Sequence, residues 1–211
     1  MSVETGTARA VAGGIALVGW VGLAVQFNAT FDQNGSIAGS FWILLRYFTV
    51  LTNLLVAVVM TGIALGKSAF GSPVVLGGAT LVIVIVGIIY SLLLRGLLEL
   101  SGGARLADLI LHDVVPVLVP LFWLVFAPKG ALQSRHLLLW IIYPLAYLAY
   151  ALARGAAENR YAYPFIDVAQ IGWLQTVANS VMIVLGFLAV GLALVWVDGL
   201  LARRPKGGKA A

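Results

Sequence analysis

Two stretches of this chain hold residue types that, brought together, make a nucleophile and its base. The first is Arg46-Tyr47-Phe48-Thr49-Val50-Leu51-Thr52-Asn53, set inside the apolar run from Phe41 to Leu65; the second is Asp108 with Leu111-His112-Asp113. A threonine hydroxyl attacks poorly until a base takes its proton, and His is the usual base. Asp108 and His112 stand at i, i+4, so on a helix the carboxylate reaches the imidazole and sets its tautomer. Asp113 then points elsewhere, toward Arg46 or Arg95. Arg46, Thr49 and Asn53 fall at i, i+3, i+7 and share one helical face. Thr52 is a second candidate nucleophile, turned away from that face.

Each of these residues also has a plainer reading. Threonine in a membrane helix usually bonds the carbonyl three or four residues back. Arg46 either snorkels to the headgroups or holds a substrate carboxylate through a two-pronged contact. Asn53, Asn179 and Tyr150 either donate to an oxyanion or tie helices together. Pro116 and Pro120 free backbone carbonyls and kink their helix. Tyr161, Tyr163 and Trp173 suit an interfacial belt. What raises the chemical reading is location, because an ionisable group inside a membrane span is costly and needs a partner or a task.

That location follows from composition. The chain is 62% hydrophobic and 10% charged, where a soluble domain carries about 25% charged residues. There is no cysteine, which removes disulfides, thiolate metal sites and a cysteine nucleophile, and only two histidines, His112 and His136. No metal or cofactor is expected. The net charge of +5 reads as topology information and not as a nucleic-acid footprint. The segment before residue 8 lacks Lys and Arg, so no cleavable leader is expected.

The elements that must position the chemistry are therefore membrane helices. The expected fold is all-α, a polytopic six-transmembrane-helix bundle forming one domain over 1–211. Its spans fall at about 8–27, 41–65, 74–94, 106–127, 136–153 and 171–197, with a flexible tail at 198–211. Each is near the ~20 residues a bilayer needs. No internal repeat supports an inverted-repeat transporter. An even number of spans puts both termini on one side. That side holds eight cations, Arg9, Lys67, Lys129, Arg135, Arg203, Arg204, Lys206 and Lys209, against five on the other, Arg46, Arg95, Arg105, Arg154 and Arg160. The positive-inside rule makes it the cytoplasm. Thr49 and His112 then lie at one depth, roughly 10 Å below the outer surface. Asn179, Tyr90, Ser91, Arg95, Tyr147 and Tyr150 fall in the same layer, while the inner half is nearly free of polar groups. This describes a pocket open outward more than a conduit.

The set Arg46-Tyr47-Phe48-Thr49, Leu111-His112-Asp113-Val114-Val115-Pro116 and Tyr163-Pro164-Phe165 resembles the androgen-induced protein family, which includes the androgen-dependent regulator of tissue factor pathway inhibitor. The resemblance covers most of the chain in order and spacing, through short motifs. The chain looks like a bacterial relative, which implies an inner-membrane protein. It departs after the threonine, with Val50-Leu51-Thr52-Asn53 where the animal pattern continues to an acid. The family are integral membrane hydrolases of fatty acid esters of hydroxy fatty acids, using a Thr nucleophile and a His. The resemblance thus implies Thr49 as nucleophile and His112 as base, with Asp108 orienting the imidazole and a membrane lipid or fatty acyl ester as partner. The rival expectations are a non-catalytic lipid or small-solute binder or transporter, and an assembly partner of a larger membrane complex. Oligomeric state is not legible.

Overall fold

The computed structural model describes residues 3–202. Among them the chain is all helical, in seven helices: α1 (Gly6–Asn34), α2 (Ile37–Leu44), α3 (Phe48–Ala64), α4 (Pro73–Leu94), α5 (Gly102–Phe126), α6 (His136–Glu158) and α7 (Val168–Ala202). Five are long and apolar enough to cross a bilayer by themselves, and α2 with α3 makes a sixth, broken span bent by 96°. Large apolar side chains such as Leu92, Leu138 and Leu174 stand fully outward, which suits lipid and not water. This is a multi-pass membrane protein built as a helical bundle.

Most expected boundaries shift by a few residues. The polar stretch 28–40, expected as a loop, is mostly helix. Helix α1 continues to Asn34, where Gly35 takes a left-handed turn (φ 69°) and closes it by donating to the Phe31 carbonyl. Ser36 then caps α2 by accepting from the Gly39 amide. Helix α6 runs past 153 to Glu158, and α7 begins before 171, with a non-helical break at Gly172. The expected flexible tail from 198 starts too early, because α7 continues to Ala202; Arg203, Arg204, Lys206 and Lys209 lie outside the described residues.

The largest correction is the run 41–65, expected as one helix. It breaks at Leu45-Arg46-Tyr47. The carbonyls freed by the break would be costly in a membrane unless satisfied. Helix α6 supplies the partners. The Tyr147 hydroxyl donates to the Arg46 carbonyl (2.8 Å), Tyr150 donates to Leu45 (3.1 Å), and Arg154 donates to Trp42 (2.6 Å). Arg154 also stacks on the Trp42 ring at 4.0 Å. Glu158 pairs with both Arg46 and Arg154. The break is thus held by tertiary contacts and not by a local breaker residue.

Small residues set the packing. One face of α1 buries Ala8, Ala12, Ala16, Gly19 and Gly22, against α3 and α5. A Cβ at Gly22 would lie 2.6 Å from Ile110, so this glycine admits α5. Gly87 likewise admits Pro116 to α4. Gly191 brings α7 down onto Leu137 of α6 and Leu81 of α4. At the end of α7 the buried Asp198 accepts from the amides of Gly130 (2.8 Å) and Leu132 (2.9 Å), pinning the loop between α5 and α6.

Candidate functional site

Helix α3 starts at Phe48, so Thr49 sits in its first turn, where backbone amides lack intrahelical partners. The Thr49 hydroxyl lies 3.2 Å from His112 Nε2. His112 Nδ1 lies 2.9 Å from Asp108 Oδ1 and 3.2 Å from the Asp108 carbonyl oxygen. Both Asp108 oxygens only accept, so Nδ1 carries the proton and Nε2 turns its lone pair to the threonine. Tyr90 completes the group. Its hydroxyl donates to Asp108 Oδ2 (2.5 Å), and its ring stacks on the imidazole with centroids 3.9 Å apart. Asp113 turns away to Arg95, at 2.5 Å, and the Arg95 guanidinium lies over the Tyr90 ring, 4.8 Å from its centroid.

Two π-helical turns place these side chains, Tyr90–Leu94 in α4 and Ile110–Val114 in α5. In the second, the Val115 amide donates five residues back to Ile110. By the same pattern the Leu111 carbonyl would need a proton from residue 116, which is proline and has none. Asn53 fills the gap. Its amide nitrogen donates to the Leu111 carbonyl (3.1 Å) and to the Thr49 carbonyl (2.9 Å), so it ties α3 to α5 beside the pair.

The sequence-selected residues therefore divide. Thr49, His112 and Asp108 are brought into contact. Asn53 is adjacent, but both its N–H groups are committed to carbonyls. Arg46 precedes α3, so it does not share the face of Thr49 and Asn53, and it pairs with Glu158. Tyr150 donates to Leu45 and receives Arg154. Asn179 donates to the Phe165 carbonyl and accepts from Gln175. Arg46, Tyr150 and Asn179 hold the chain break and a loop and do not reach Thr49. Thr52 is buried, with its hydroxyl 3.1 Å from that of Tyr143.

Tyr163, expected in an interfacial belt, reaches the site. The loop 159–167 folds it inward, and its hydroxyl accepts from the Thr49 amide at 3.4 Å and sits beside the Thr49 side chain. Burial of the hydroxyl pushes this phenol up. The Tyr-Pro-Phe stretch was the signal that could have found it. Trp173, by contrast, is exposed as a belt residue would be.

Thr49, Tyr90 and Tyr163 help line an open cavity of about 90 Å³ between α3, α4, α6 and α7. The rest of the lining is apolar apart from Ser180 and Tyr147. Among the described residues no group of three or more His, Cys, Asp or Glu side chains could hold a metal ion. His136 starts α6, accepting from the Gln133 amide, and is remote in sequence and place from the pair. Compared with family models, with curated proteins and with solved structures, the chain matches none.

Proposed function

We propose that this protein is a membrane hydrolase of lipid esters. The observation that carries the reading is the hydrogen-bonded series Thr49–His112–Asp108 at the end of an apolar cavity. Thr49 Oγ1 attacks the ester carbonyl carbon while His112 Nε2 takes the hydroxyl proton. The tetrahedral oxyanion collapses, the C–O bond to the alcohol breaks, and the imidazolium returns the proton to the leaving oxygen. Water, deprotonated by His112, then attacks the acyl-threonine and releases the acid, restoring the hydroxyl. Asp108, held by Tyr90, fixes the tautomer and steadies the imidazolium.

Oxyanion stabilisation comes from the first turn of α3 and the Tyr163 hydroxyl. The amides of Phe48 and Val50 have no intrahelical acceptor, that of Thr49 donates to the Tyr163 hydroxyl, and the helix dipole favours negative charge there. The helix break is what brings such amides to the nucleophile. The resemblance to the androgen-induced protein family agrees with this assignment. A lipid binder without turnover would suit the same cavity, but would not need a threonine bonded to an oriented imidazole.

A threonine-directed fluorophosphonate, followed by mass spectrometry of the modified peptide, tests the reading. Label is expected on Thr49 in the wild type and absent in His112→Ala. An unlabelled protein, or a label on Thr52, removes Thr49 from the role.

The orientation belongs to the same proposal. With both termini cytoplasmic, in a bacterial inner membrane, the site lies in the outer leaflet. A topology reporter fused at Lys67 should report cytoplasm, and one at Asp167 the outside. The reverse pattern inverts the leaflet while leaving the chemistry in place.

A further inference from the structure

The cavity has one blind end. Below it Gly191 closes α7 onto α6 and α4, against Leu137 and Leu81. Nearer the site, α6 meets α3 through large side chains, the rings of Tyr143 and Tyr147 packed at a tilt on Phe48. The floor is Phe187, 2% exposed, with Ile85 and Val86 beside it. The walls on the lipid side are Leu145 and Leu148 of α6 and Ile183 and Val184 of α7. Leu145 is 44% exposed to the bilayer side, so the slot opens sideways into lipid and not through the membrane.

We infer that this slot measures the acyl chain of the ester, with Phe187 setting the length it accepts. The inference rests on the hydrolase reading for its position relative to Thr49. The lining is apolar apart from Thr49, Tyr90, Tyr147, Tyr163 and Ser180, so the occupant is a hydrocarbon chain with its carbonyl at Thr49. The acyl part is the one that stays, since it remains bonded to the threonine after the alcohol leaves. From Ser180 to Phe187 the helix α7 descends roughly 10 Å. A chain of carbon–carbon bonds near 1.5 Å advances about 1.3 Å per carbon, so the slot holds about eight carbons. Longer chains must bend out through the mouth between α6 and α7.

The test is a kcat/KM profile for purified protein in nanodiscs over p-nitrophenyl esters from acetate to palmitate. The wild type should peak at medium chain length. Phe187→Ala should move the peak to longer chains, each newly buried methylene adding about fourfold to kcat/KM. Phe187→Trp should move it to shorter ones. A flat wild-type profile, or a peak that neither variant moves, overturns the slot. Should the wild type cleave no ester of the series, the hydrolase reading falls and the slot is read by binding. Melting temperatures of Thr49→Ala with free fatty acids of graded length should then show a limit that a second substitution, Phe187→Ala, raises. Equal stabilisation by every length overturns the slot in that case too.

Discussion

Purified Thr49→Ala in nanodiscs turns over no fatty acyl ester on this mechanism, a fall of roughly 10³-fold or more, and His112→Ala falls as far. The double variant should be no worse than either, because the hydroxyl and the imidazole act in one step. Thr49→Ser keeps the hydroxyl and should keep part of the rate. Thr52→Ala should be mild, since that hydroxyl meets Tyr143 and not His112. Asp108→Asn should slow turnover without ending it, because the Asp108 backbone carbonyl still accepts from His112 Nδ1. Thermal melts of each variant check that the fold survives. Normal turnover by Thr49→Ala with a dead His112→Ala would replace the acyl-threonine by a His-activated water.

The second large effect is on stability. Asp198→Ala should destabilise the protein by about 2–4 kcal/mol, because two charge-assisted hydrogen bonds go and the amides of Gly130 and Leu132 lose their acceptor. For a chain of this size that lowers the melting temperature by about 4–16 °C. Lys129 lies in the same loop, donating to the Trp123 and Ala127 carbonyls, and would lose the nearby opposite charge as well. Ester turnover per folded molecule should be unchanged, since the site is on the other face. A melt that matches the wild type would show that the loop is held by other means.

Much of the site was legible because it depends on helical spacing and depth. The i, i+4 relation of Asp108 and His112 survives the π turn, and counting residues from the span ends put Thr49 level with His112. The break at Leu45–Tyr47 was not legible. No proline or glycine marks it, and the apolar run around it is long enough for one straight span. Its cause lies about a hundred residues away, in Tyr147, Tyr150, Arg154 and Glu158 of α6. The same distance hid the roles of Arg46 and Tyr150, whose polar groups are spent on that break. Of the two readings open to Asn53 in the sequence, an oxyanion donor or a tie between helices, the contacts match the tie, because the missing proton of Pro116 claims it for Leu111. The contact of Tyr163 with Thr49 was not legible either, because an aromatic residue in a loop between spans ordinarily marks the membrane surface.

The paired π turns bear on how this chain can change over time. Each turn carries one residue more than a regular helix would, and each residue rotates everything beyond it by about 100°. Deleting one residue from 110–114 would regularise α5 and swing Asp108 out of line with Pro116 and the Leu111 carbonyl that Asn53 holds. Deleting one from 90–94 would do the same to Tyr90 and Arg95. Lipid-facing positions on these helices tolerate exchange among apolar types, but the count of residues from Gly87 to Arg95 and from Asp108 to Pro116 is fixed. Along those two stretches drift is therefore free in letters at the lipid-facing positions alone, and closed in length throughout.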